Sequence, residues 1–105
     1  MKRIKKQVHL LHILSKASPQ QRKAILNTTS LEQLKSICEI CKNVLHGNIP
    51  GIKTHKLASY KKVIRKLADN KISLPSKRKI LTRQTGGGFL PLIIPTVLKL
   101  LLGDG

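Results

Sequence analysis

Eleven lysines and arginines fall between residues 53 and 83: Lys53, Lys56, Lys61, Lys62, Arg65, Lys66, Lys71, Lys77, Arg78, Lys79 and Arg83. Asp69 is the single acid among them. Cationic side chains at this density do one kind of chemistry well. They neutralise phosphates and release counterions, a contact that is blind to base sequence and weakened by salt. The plain alternative is the solvated lysine face of an ordinary helix, but such faces interleave both signs of charge. Lys2, Arg3, Lys5 and Lys6 can add to the same surface. The stretch Ser76-Lys77-Arg78-Lys79 also has the composition that a nuclear import receptor reads.

A second constellation is Cys38-x-x-Cys41, half of a zinc-binding pattern, with His9, His12, His46 and His55 elsewhere in the chain. Zinc takes four ligands in a tetrahedron, usually from two such pairs. No second pair follows here, and both cysteines fall on the apolar stripe of a predicted helix. Buried thiols there act as small hydrophobes, so core packing is the expected role and no metal or cofactor is assigned. A redox role needs a strand before the CxxC, which is missing. Catalysis has no support either. Glu32, Glu39, Asp69 and Asp104 are scattered, no nucleophile has a partnered base, and Gly86-Gly87-Gly88 lacks the Lys-Ser/Thr of a phosphate loop. The chain reads as a non-enzyme.

Composition points the same way. Lys and Arg number 21 against 4 Asp and Glu, a formal net charge of +17 over 105 residues. Self-repulsion on that scale destabilises a small fold and signals an anionic partner, nucleic acid first and an anionic membrane second. Tyr60 and Phe89 are the only aromatics, too few for the stacking platforms that bind single strands. No cleavable signal segment is visible, because Lys5, Lys6, His9 and His12 interrupt the only short apolar stretch near Met1. An intracellular setting is expected.

The elements that must position these residues read as helices. Ile4, Val8, Leu11 and Leu14 predict a helix near residues 3–15. Ser18-Pro19-Gln20-Gln21 and Ser30-Leu31-Glu32-Gln33 are helix starts with capping boxes. Leu34, Ile37, Cys38, Cys41, Val44 and Leu45 trace one stripe up to Gly47 as its C-terminal stop. Leu57, Tyr60, Val63, Ile64 and Leu67 predict a further helix from about Thr54, with its bases mostly on the other face. Ser73-Leu74-Pro75 opens a short basic turn or helix. No alternation of period two occurs in residues 1–85, so the expected fold class is all-α, a small basic helical bundle.

The chain changes character at Gly86-Gly87-Gly88, a hinge or a processing site. Beyond it, residues 89–102 are almost pure hydrocarbon. That is short of the roughly 20 residues of a spanning helix. Pro91 and Pro95 predict no continuous helix at its start, with helix resuming after Pro95. Phe89, Leu90, Leu92, Ile93, Ile94, Val97, Leu98 and Leu101 offer an apolar face. That face can dock on the body, insert shallowly into a bilayer, or meet a partner. An interaction outside the body is the favoured expectation, because a body poor in aromatics offers a modest groove. The expected organisation is a basic helical domain over 1–83, a glycine hinge at 84–88, and a hydrophobic segment over 89–105.

Basic residues followed by Gly-Gly-Gly-Phe-Leu-Pro-Leu-Ile-Ile-Pro and an apolar stretch resemble the C-terminal half of the adenovirus core-protein mu precursor, protein ten. Similar proteins occur in adintoviruses and in Polinton (Maverick) elements. The resemblance covers residues 83–103. It implies a protein of the virion core and host nucleus that helps condense double-stranded DNA. It also implies maturation by a viral cysteine protease at Gln84-Thr85-Gly86-Gly87, before Gly88. The sequence differs from that family in being Lys-rich rather than Arg-rich, and in carrying a folded helical body over residues 4–70. The alternative expectation is a membrane-active or capsid-associated protein acting through its hydrophobic segment.

Overall fold

The computed structural model of the chain describes residues 2–83 and 87–103. Within them the fold is all-helical and no strand occurs. Seven α-helices follow in order: α1 (Lys2–Lys5), α2 (Val8–Lys16), α3 (Pro19–Thr28), α4 (Leu31–Leu45), α5 (Lys61–Ala68), α6 (Leu74–Thr82) and α7 (Leu90–Leu102). A 3-10 helix (Thr54–Tyr60) leads directly into α5.

Local chemistry sets most of the boundaries. Ser18 Oγ accepts the Gln21 N–H at 3.2 Å, and Gln21 Oε1 accepts the Ser18 N–H at 2.9 Å. Ser30 and Gln33 repeat the reciprocal pair at 3.1 and 2.8 Å. Each pair satisfies two groups that a helix start would otherwise leave orphaned. At the far end of α4, the Asn48 N–H donates to the Asn43 carbonyl and the Gly47 N–H to the Val44 carbonyl. Gly47 lies at φ +69°, the left-handed conformation that this closing motif needs.

The helix expected near residues 3–15 is broken in two. Gln7, at φ −106° and ψ 21°, interrupts it, and its N–H donates back only three residues, to Ile4. The break separates two packing tasks. Ile4 turns toward α4 with α1, whereas Leu10, Leu11 and Leu14 face α7 from α2.

The larger departure concerns residues 89–103. Docking on the body is one reading of these, but the favoured expectation is an interaction outside it, with a membrane or partner. Instead α7 lies along α2, and Phe89, Leu90, Ile93, Ile94, Val97 and Leu98 are buried in the same core as Ile4, Leu34, Ile64 and Leu81. Leu101 is partly buried, and Leu92 remains exposed. The helix is also continuous through both prolines. Pro91 sits in the first turn, where its missing N–H is not needed. Pro95, inside the helix and exposed, removes one intrahelical donor. Burial on both sides of it, at Ile93, Ile94, Val97 and Leu98, outweighs that local loss.

The groove that receives α7 exists despite the scarcity of aromatics. The chain's two aromatic rings meet there. Tyr60 and Phe89 lie 6.2 Å apart between centroids with planes tilted by 54°, within the range of favourable aromatic pairs. The Cα radius of gyration is 12.5 Å, near the roughly 13 Å of a compact chain of about 100 residues. No helix of the described residues is long and apolar enough to cross a membrane.

Candidate nucleic-acid interface

The interface is built outward from α5. Its sequence, Lys-Lys-Val-Ile-Arg-Lys-Leu-Ala, splits by turn. Ile64 and Leu67 are buried and Val63 and Ala68 partly buried against the core. Lys61, Lys62, Arg65 and Lys66, spaced i, i+1, i+4 and i+5, share the solvent face. Lys53 and Lys56, on the preceding 3-10 helix and its approach, are exposed too and border a pocket with Pro91, Leu92 and Thr96 of α7. Lys71, Lys79 and Arg83 are exposed as well. Nine of the eleven sequence-predicted phosphate ligands are therefore on the surface.

Among the described residues none of these nine is paired with a carboxylate. Among the described residues the only ion pair joins Arg3 to Glu32, at 3.1 Å with both side chains about half exposed. Asp69, the acid within the run, spends Oδ1 on the Lys71 backbone N–H at 2.9 Å. Local electrostatics at α5 are also adverse. Lys61 and Lys62 stand at the positive end of the helix dipole, with no acid in the first turn and no side-chain cap.

Two predicted ligands are not at the surface. Lys77 is only 5% exposed. Arg78 is half-buried and donates from one guanidinium nitrogen to the Leu26 carbonyl at 2.8 Å and to Thr29 Oγ1 at 2.9 Å. That arginine caps the C-terminal end of α3 and ties it to α6. Both exceptions have one cause. Lys77 and Arg78 lie three and four residues after Leu74 and before Leu81, so they occupy the inward stripe of α6. The import-receptor reading of residues 76–79 loses two of its three bases for the same reason.

Arg78→Met is expected to keep the stem's packing while leaving the Leu26 carbonyl and Thr29 hydroxyl without a donor. The cost should be about 1–3 kcal/mol in urea denaturation, with DNA affinity nearly unchanged. A large loss of affinity without a loss of stability would instead return Arg78 to the interface.

The cysteines pack in the core, as their place on the α4 stripe predicts. Cys41 is fully buried and Cys38 nearly so, and both are free thiols. Burial pushes both thiol pKa values up, with Cys38 adding to the rise at Cys41 and Lys77 opposing it at both. They stay protonated at neutral pH, poor as nucleophiles or metal ligands. His9, His12, His46 and His55 are exposed and gather no ligand set with them. Among the described residues no three of His, Cys, Asp or Glu form a metal-binding group.

Of the protease pattern, Gln84, Thr85 and Gly86 lie outside the described residues. Gly87 is buried and Gly88 half-buried. A Cβ added at Gly87 would stand 3.0 Å from the Leu81 carbonyl oxygen and 3.3 Å from Leu26 Cδ1. The close approach of this backbone to the α3–α6 pair is what glycine serves here.

Sequence reasoning missed Lys35, Lys42 and Glu39. They share one face of α4 and border a cleft of about 240 Å³ with Lys77. Their spacing, four and three residues either side of Glu39, was the available signal. No family model matches the chain, and no curated protein or solved structure matches it.

Proposed function

We propose that this chain is a non-enzymatic DNA-packaging protein that binds double-stranded DNA through lysine and arginine contacts to phosphates. The observation that carries this reading is the set of exposed bases over residues 53–66 with no carboxylate partner among the described residues. A phosphate backbone would supply the anions that α5 lacks, including at the end of the helix where Lys61 and Lys62 oppose the dipole. The likeness of residues 83–103 to the adenovirus core-protein precursor supports the same reading, of which a setting in the virion core and host nucleus of an adenovirus-like element is a part. Maturation between Gly87 and Gly88 belongs to that reading too. Because Gly87 is buried against α3 and α6, the protease would need this stretch to lift off that pair first.

The alternative, a membrane-active or capsid-associated protein, relied on an apolar face that the fold has largely buried. Fluorescence anisotropy with a double-stranded oligonucleotide, titrated between about 50 and 200 mM salt, tests the proposal. With five or six phosphates neutralised by the six bases of residues 53–66, log K against log salt should fall with a slope of about −4.5 to −5.5. Scrambled sequences should bind equally. A flat salt response would rule the function out.

A further inference from the structure

Between α4, α5 and α6 lies the cleft of about 240 Å³, lined by Lys35, Cys38, Glu39, Lys42, Asn70 and Lys77 among others. Two of its charged groups stand out. Lys77 is only 5% exposed and makes no side-chain hydrogen bond or ion pair among the described residues. Its stem is packed away while its ammonium tip is not sealed off, Glu39 Oε2 being the one buried side-chain polar atom without a partner among the described residues. A lysine with a buried stem holds its ammonium at the cleft surface, and an unsatisfied buried acceptor such as Glu39 Oε2 is costly. These two do not satisfy each other, since no ion pair joins them.

A ligand that satisfies both must carry several anionic oxygens and one hydroxyl donor. Lys77, with Lys35 and Lys42 at the rim, would take the oxygens, and Glu39 would accept the hydroxyl hydrogen. Sulfate and a phosphodiester have no such hydroxyl at neutral pH. A phosphate that keeps one proton has it.

We propose that this cleft binds the singly protonated phosphate group of inorganic phosphate or of a phosphomonoester. It shares no residue with the α5 face, so the two can fail independently. Charge count alone would favour sulfate and phosphate equally. The Glu39 carboxylate is the discriminating element, because it repels any oxyanion that cannot donate to it.

The test is isothermal titration of the full chain with inorganic phosphate and with sulfate at matched ionic strength. Phosphate should bind at least about tenfold more tightly, the cost of leaving one buried acceptor unpaired. Glu39→Gln, whose amide can itself donate, should erase that preference. Lys77→Met, which keeps the apolar stem, should weaken phosphate binding at least about tenfold with the helical circular dichroism retained. If that variant does not fold, the comparison of the two anions in the native chain still decides.

Equal affinity for phosphate and sulfate would overturn the site, and so would a preference that survives in Glu39→Gln. A 5′-phosphorylated oligonucleotide compared with its 5′-hydroxyl twin identifies the source. A Glu39-dependent gain for the phosphorylated strand assigns the site to nucleic-acid ends. A gain with inorganic phosphate alone assigns it to the free ion.

Discussion

Replacing Lys61, Lys62, Arg65 and Lys66 together by glutamine should weaken binding to double-stranded DNA on the order of a thousandfold near 100 mM salt. The salt slope should become shallower by about 3 to 4 units, close to one per lost phosphate contact. The fold should survive, because all four side chains are exposed and none is hydrogen-bonded or ion-paired among the described residues. Relief of like-charge repulsion in a chain of net charge +17 should leave the melting temperature unchanged or raise it. The control removes the same charge elsewhere, from Lys16, Arg22, Lys23 and Lys99. An equal loss of affinity in both variants would show that net charge, and not the α5 face, holds DNA. The measurement is anisotropy across salt, with circular dichroism melts alongside.

Phe89→Ala should cost about 3–5 kcal/mol, a large share of the roughly 5–15 kcal/mol that holds a small domain together. Phe89 is fully buried and meets Tyr60, so truncation loses both buried area and the aromatic contact. The melting temperature should fall by about 12 °C or more, or the chain should fail to fold. Leu102→Ala, at a side chain 58% exposed, should change stability by no more than about 0.5 kcal/mol. Denaturant titration of the two variants separates a docked α7 from a loosely attached one. If Phe89→Ala proved as mild as Leu102→Ala, residues 89–103 would be available to a membrane or partner, and the alternative function would regain its apolar surface.

The helical body was legible because its signals are local. Ser18 with Gln21 and Ser30 with Gln33 write their own helix starts, since the capping box closes within four residues. The stripe through Leu34, Ile37, Cys38 and Cys41 needs only the helical period to be read. The division of α5 into a basic and an apolar face is equally local, and with it the core of the candidate interface.

Less was legible wherever a long-range contact competed with a local rule. Prolines at 91 and 95 argue against a continuous helix, and the burial that overrides them comes from α2, about eighty residues earlier in the chain. Lys77 and Arg78 read as surface charges by composition. Their inward placement follows from the Leu74–Leu81 spacing only once α6 is known to pack on α3. For Arg78 it also depends on a carbonyl and a hydroxyl roughly fifty residues away.

The sequence by itself determined that the body is helical and the chain strongly cationic, because charge, period and capping are properties of neighbouring residues. Tertiary structure alone decided that the apolar segment closes the core over its described residues, that two of the eleven bases turn inward, and that Lys77 and Glu39 line one cleft. Those outcomes depend on which faces meet, and burial energy is not set until a partner surface covers each face.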